Sequence, residues 1–218
     1  MLALLHTSPV HVPVFDALAD ADHPGLALRH LVREDLLAGA RAAGPEAVAH
    51  EVGAVLAGAV AEGATAVLCT CSTLGAVAEK AAPALGVPVL RIDRPMARIA
   101  ASAGRVVVVA AVESTVGPTA ALIREEAAGR DLALRTVLAE GAWELFEAGD
   151  REGYLDAVAA TADAVTGADV IVLAQVSMAD AAERVTNGVP VLAGPRTGLA
   201  AAVAATTAAG AAVGNRTG

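Results

Sequence analysis

The chain has 218 residues, enough for one large domain or two lobes of roughly 100 residues each, and its net charge of −9 argues against a nucleic-acid partner, which needs a basic stripe. Hydrophobic residues make up 56% of it, but aromatics only 2%, so the excess is Ala, Val and Leu, suited to helix-on-sheet packing rather than to a bilayer. Only Met1 and four further apolar residues precede His6 and Thr7, too few for the core of a secretion signal, so the expected compartment is the cytoplasm, with no membrane partner.

Short apolar runs alternate with alanine-rich segments at helical spacing, the pattern of βα units around a parallel sheet. Strands are expected at 2–6, 26–32, 65–71 and 87–92, then at 105–110, 132–138, 169–174 and 189–192. Helices are expected at 12–19, 45–62, 74–84, 115–128, 142–148, 151–166, 178–185 and 198–212. The tail 199–213 is mainly alanine with Thr206 and Thr207, too weakly apolar and too short for a span of about 20 residues, and reads as a buried-face helix. Segment 94–104 reads as a hinge.

The two halves repeat one another. Leu26-Ala27-Leu28-Arg29 recurs as Leu132-Ala133-Leu134-Arg135, and Gly86-Val87-Pro88-Val89-Leu90 as Gly188-Val189-Pro190-Val191-Leu192. Ala76-Val77-Ala78-Glu79-Lys80 matches Asp180-Ala181-Ala182-Glu183-Arg184, and that register pairs Cys71 with Gln175. The expected fold is therefore α/β: two pseudo-symmetric, Rossmann-like lobes, each a four-stranded parallel sheet flanked by helices, with a ligand cleft between them. Residues 1–97 plus 198–218 make the first lobe and 98–197 the second. A titratable group in only one half-site suggests one-sided chemistry.

In such sheets the ligand site lies beyond the carboxyl ends of the strands. Cys71 falls there, before Ser72 and Thr73, which read as helix N-caps, and a helix start commonly favours the thiolate. Cys69 reads as a small core hydrophobe. Gln175 cannot exchange a proton near neutral pH, but its amide donates and accepts hydrogen bonds, to a substrate or to a neighbouring backbone group. Ser177-Met178-Ala179-Asp180 has the form of a Ser-x-x-acid helix start, making Ser177 a cap and a candidate ligand contact. Thr7, Ser8, Ser72, Thr73, Ser114 and Thr115 offer hydroxyls and N–H groups suited to a carboxylate, although each alone is an ordinary turn or cap residue. His6 is a candidate general base or a hydrogen-bonded loop residue. Glu113 is a candidate acid or a helix-dipole partner, and Asp93 is similarly ambiguous. Two cysteines one residue apart make no disulfide framework, and without further Cys or a His pair at ligand spacing no metal is expected. No phosphate-loop, dinucleotide or His-Glu-x-x-His motif is present, so no cofactor is expected. Asn215-Arg216-Thr217 has the form of a glycosylation triplet, without meaning unless the chain is secreted.

The order of these elements resembles the aspartate/glutamate (hydantoin) racemase superfamily, which includes hydantoin racemases, maleate isomerases and arylmalonate decarboxylases, over essentially the whole chain. Cys71-Ser72-Thr73 is similar to the family's first motif, Cys-Asn-Thr or a variant. Its second motif, Leu-Gly-Cys, falls on Leu173-Ala174-Gln175, where the second cysteine is missing. The resemblance implies an isomerase that needs neither cofactor nor metal, with Cys71 as thiolate base or nucleophile on a small carboxylate and Gln175 orienting it. It implies substrate contacts from Thr7, Ser8 and Thr115, and permits a homodimer. An amide cannot deliver the second proton of a two-base racemisation. Cis–trans isomerisation by thiolate addition to a double bond remains open, as do a carboxylate-binding protein without turnover and a decarboxylase-type lyase.

Overall fold

The computed structural model describes residues 1–214, with side chains through Ala208; Asn215-Arg216-Thr217 lies outside the described residues. The chain divides into two compact units, Met1–Ile92 with the chain from Pro195 onward, and Asp93–Gly194. Among the described residues no helix is long and apolar enough to cross a membrane.

The first unit is built on β1 (Leu2–His6), β2 (Leu28–Val32), β3 (Ala66–Cys69) and β4 (Val89–Arg91), all parallel in the order β2-β1-β3-β4. Every residue of β1 and β3 is buried, as expected for strands covered on both faces. The covering helices are α1 (Val12–Asp22), α2 (Glu34–Ala43), α3 (Ala49–Ala61) and α4 (Ser72–Leu85). Leu5, Leu36, Leu56, Val67 and Leu74 share one core cluster, so α2, α3 and α4 bury their apolar stripes on the same face of the sheet.

The second unit repeats the topology. It starts with α5 (Arg94–Ala100), and its strands β5 (Arg105–Ala110), β6 (Ala133–Leu138), β7 (Val170–Leu173) and β8 (Val191–Ala193) are parallel in the order β6-β5-β7-β8. Its other helices are α6 (Glu113–Ala127), α7 (Ala142–Glu147) and α8 (Arg151–Asp163), and a 3-10 segment covers Val176–Arg184. Then α9 (Gly194–Gly214) returns to the first unit, where Arg196 pairs with Asp22. The repeat seen in the sequence holds to the hydrogen bond. Val67 N donates to Pro88 O and Ile171 N to Pro190 O, each at 2.9 Å, while Thr70 N donates to Leu5 O and Ala174 N to Val109 O, each at 3.0 Å. Gly86 and Gly188 both turn at positive φ, +68° and +77°, where a side chain would be strained.

Several elements depart from the sequence reading. Residues 34–43 form α2, absent from the expected set: Leu36 and Ala40 bury one turn apart and Gly44 ends the helix at φ +89°. The expected helix 45–62 is a 3-10 turn, Pro45–Val48, followed by α3. The expected hinge 94–104 is mostly helix, because Met96, Ala97 and Ala100 of α5 pack with Val106 and Val108 of β5. The expected helix 178–185 is the 3-10 segment, opened by a Met178 N to Gln175 O bond, and β8 starts at Val191 rather than at 189.

Candidate functional site

In the first unit β1 and β3 are neighbours, so the loops leaving their carboxyl ends lie side by side. The β1 loop carries Thr7, buried, and Ser8, half-buried, ahead of the 3-10 turn Pro9–His11. The β3 loop carries Cys71, two residues past the strand. With φ −104° and ψ 116° it is the N-cap of α4, and its carbonyl accepts the Leu74 N–H at 3.2 Å. Ser72 and Thr73 are thus the first two helical residues, not the caps expected from sequence, and both are buried. Cys71 is 9% exposed against 0% for Cys69, whose thiol lies 3.6 Å from the Cys71 carbonyl oxygen. The first turn of α4 presents N–H groups without helical partners, a setting that favours anions. The structure therefore gathers Thr7, Ser8, Cys71, Ser72 and Thr73 at one sheet edge.

Beneath that edge, Arg91 ends β4 as a buried residue, 4% exposed, with its guanidinium Nη2 3.4 Å from the Ser72 carbonyl oxygen. Its side chain fills the space beside Gly75, where an added Cβ would stand 2.8 Å from Nε. The sequence shows a strand-end arginine like any other; its burial needs the packing of α4 over β4. Asp93, also buried, is the N-cap of α5.

His6 does not serve as a free base. It is fully buried, both ring nitrogens are hydrogen-bonded, and burial pushes its pKa down to about 3, with the neighbouring His11 and His30 adding to the shift. Burial likewise lowers His11 to about 4.

In the second unit β5 and β7 are neighbours in the same register, and the equivalent loops carry Ser114, Thr115, Gln175 and Ser177. Because Leu5 and Val109 occupy matching register positions, Thr7 corresponds to Ala111 and Cys71 to Gln175. Gln175 holds an extended backbone like that of Cys71, φ −123° and ψ 147°, and opens the 3-10 segment as Cys71 opens α4. Its Oε1 accepts the Ala111 N–H at 2.7 Å, which fixes the amide and leaves its NH₂ as donor. Ser177 is not a cap: its hydroxyl lies 2.8 Å from the Tyr154 hydroxyl, which burial pushes up to about 12. Ser114 and Thr115 sit within the first turn of α6, and exposed Glu113 is the first helical residue. The Ser114 hydroxyl is buried without a hydrogen-bond partner, as is that of Thr119, one turn beyond Thr115 and fully buried. Nothing in the sequence separated Thr119 from the other threonines. Among the described residues no three His, Cys, Asp or Glu side chains are grouped to hold a metal ion.

Two parallel sheets of identical topology, each with chemistry-bearing loops at the carboxyl edge, are the architecture of the Asp/Glu racemases. The chain belongs to the Asp/Glu/hydantoin racemase family, whose profile matches residues 7–202. It shares its fold with the aspartate racemase of Picrophilus torridus, at a TM-score of 0.68 and 12% identity over 96% of this chain and 94% of that one. An aspartate racemase homologue from Pyrococcus horikoshii gives 0.68 at 10% identity, covering 94% and 98%. Arylmalonate decarboxylase gives 0.59 at 18% identity, covering 94% and 91%. No curated protein matches the sequence.

Proposed function

We propose that this protein is a cofactor-independent isomerase acting on a small carboxylate, with Cys71 as thiolate base or nucleophile and Gln175 in place of the second cysteine. The observation that carries this reading is the register equivalence of Cys71 and Gln175, which leaves a thiol at the end of β3 and an amide at the end of β7. A thiolate removes a proton or adds to an activated double bond, whereas an amide only donates and accepts hydrogen bonds. The chemistry is accordingly one-sided, favouring cis–trans isomerisation by addition and elimination over two-base racemisation. Gln175 contributes its NH₂, since its carbonyl oxygen is held by Ala111. Thr7, Ser8, Ser72, Thr73, Ser114, Thr115 and Ser177 supply hydroxyls and N–H groups for the substrate's carboxylates.

The deciding experiment incubates the protein and Cys71→Ser in D₂O with amino acids, hydantoins, maleate and substituted malonates, followed by proton NMR. Isomerisation or deuterium exchange that falls at least about 100-fold in Cys71→Ser supports the assignment. Full turnover in that variant sinks it, and release of carbon dioxide would make the protein a lyase.

A second reading is supported by the bond from Ala111 to Gln175, which turns the cysteine's counterpart into a fixed polar anchor: a carboxylate-binding protein without turnover. It predicts ligand-induced thermal stabilisation that persists in Cys71→Ser with no substrate consumed.

A further inference from the structure

A hydrogen-bonded chain runs through the first unit from the surface to the residue before Cys71. Asp16 Oδ1 lies 3.0 Å from His30 Nε2, His30 Nδ1 lies 2.8 Å from His6 Nε2, and His6 Nδ1 lies 2.9 Å from Thr70 Oγ1. Thr70 Oγ1 is also 3.1 Å from the Leu5 carbonyl oxygen. The chain grades from a half-exposed carboxylate, through a His30 side chain 16% exposed, to a fully buried His6.

Counting protons along it, with Asp16 ionised, leaves one complete neutral arrangement and two complete singly protonated ones. Thr70 has one hydroxyl proton and two acceptors within reach, while Asp16 ionised only accepts. If Thr70 donates to His6 Nδ1, then His6 donates from Nε2 to His30 Nδ1, and His30 donates from Nε2 to Asp16. The two rings then carry two N–H protons and no charge. If Thr70 donates instead to Leu5 O, then His6 donates from Nδ1 to Thr70, and the proton between His6 Nε2 and His30 Nδ1 is carried by one ring or the other. His30 still donates from Nε2 to Asp16, so the rings carry three protons, with the charge on His30 when the shared proton is on its Nδ1 and on His6 when it is on that ring's Nε2.

We propose that His6 and His30 are positioning residues for the loop bearing Cys71: uptake of one solvent proton by the pair reverses the His6 tautomer and turns the Thr70 hydroxyl from His6 to the Leu5 carbonyl. The groups around the pair favour His30 as the seat of the added charge. His6 is faced by His11 from the turn after β1 and by Phe15 from α1, at ring-centroid distances of 6.1 and 5.4 Å, and by no carboxylate within hydrogen-bond distance. His30 has the Asp16 carboxylate from α1. The lowered pKa of buried His6 agrees, since it stays neutral while its neighbour is charged. In the protonated arrangement the Leu5 carbonyl accepts both the Thr70 N–H and the Thr70 hydroxyl, fastening the Thr70–Cys71 loop to β1 twice.

Long-range ¹H–¹⁵N correlation spectra distinguish Nδ1–H from Nε2–H and read the proposal directly. The expected result is an Nε2–H tautomer of His6 at pH 9, replaced by Nδ1–H at pH 5 with His30 doubly protonated. Asp16→Asn removes the half-exposed anion and moves the reversal to lower pH by about 1 unit, and Asp16→Glu restores it. A single His6 tautomer across that range, or a reversal unmoved by Asp16→Asn, overturns the proton arrangement. The link to Cys71 rests on that thiol being the reactive group and has its own readout, iodoacetamide alkylation of Cys71 in a Cys69→Ala background. Its pH–rate profile shows an inflection at the reversal pH that moves with Asp16→Asn. Alkylation that is the same in both proteins, or absent from both, overturns the link, whatever the D₂O experiment finds about turnover.

Discussion

The Gln175 amide has one orientation because the Ala111 N–H can bond only to its carbonyl oxygen, 2.7 Å away. Gln175→Leu strands that N–H, and the expected cost is about 1–3 kcal/mol in urea unfolding. Gln175→Glu keeps the acceptor but replaces a donor with an anion, so it retains most of the stability and loses carboxylate binding; tight binding by this variant would remove Gln175 from the substrate site. The pairing of Cys71 with Gln175 was legible in the sequence because the flanking repeats fix the register. The bond to Ala111 was not, because it joins residues 64 apart that only the β5–β7 pairing brings together. The same holds for His6: its place at a strand end was legible, whereas its bonds to Thr70 and His30 arise from neighbouring strands.

Two glycines set how closely helices approach the first sheet. A Cβ at Gly198 of α9 would stand 2.5 Å from the Ile92 carbonyl oxygen and 3.0 Å from its Cα, backbone atoms that cannot step aside. Gly198→Ala is expected to cost about 1–3 kcal/mol or more in chemical denaturation. At Gly75 of α4 the obstacle is the Arg91 side chain, partly its fixed Cβ at 3.0 Å, so Gly75→Ala displaces the guanidinium from beneath the Cys71 loop. The measurement is the activity ratio to wild type after correction for folded fraction; an unchanged ratio would show that Arg91 has no part in shaping that loop. Helices with long apolar stripes were legible. The short ones were not: α5 is seven residues with Pro95 in its first turn, and its burial depends on contacts with β5 that local sequence does not reveal. Segment 176–184 has a helical pattern, but its 3-10 form follows from the Gln175–Met178 turn and the tie of Ser177 to Tyr154.

Over the whole molecule, buried histidines make stability depend on pH with a definite sign. His6 and His11 are lowered from 6.5 to about 3 and about 4 by desolvation, so below pH 6.5 the unfolded chain takes protons that the folded chain refuses. Their contribution is complete above about pH 6.5 and is lost progressively toward pH 3, at roughly 1 kcal/mol per pH unit for each group. Melting temperature should therefore fall between pH 7 and pH 5, less steeply in His6→Gln; identical slopes would show that His6 is not held neutral by burial. The sequence by itself determined the parallel α/β class, the internal duplication and the unequal pair Cys71 and Gln175, because periodicity and repeat register are local properties of the chain, and its element order with the Cys71-Ser72-Thr73 motif carried the resemblance to the family. Tertiary structure alone decided that Gln175 accepts from Ala111, that Arg91 lies buried under α4, and that His6, His30 and Asp16 join in one hydrogen-bonded chain. Those facts depend on which strands and helices become neighbours, and on the water excluded when they do.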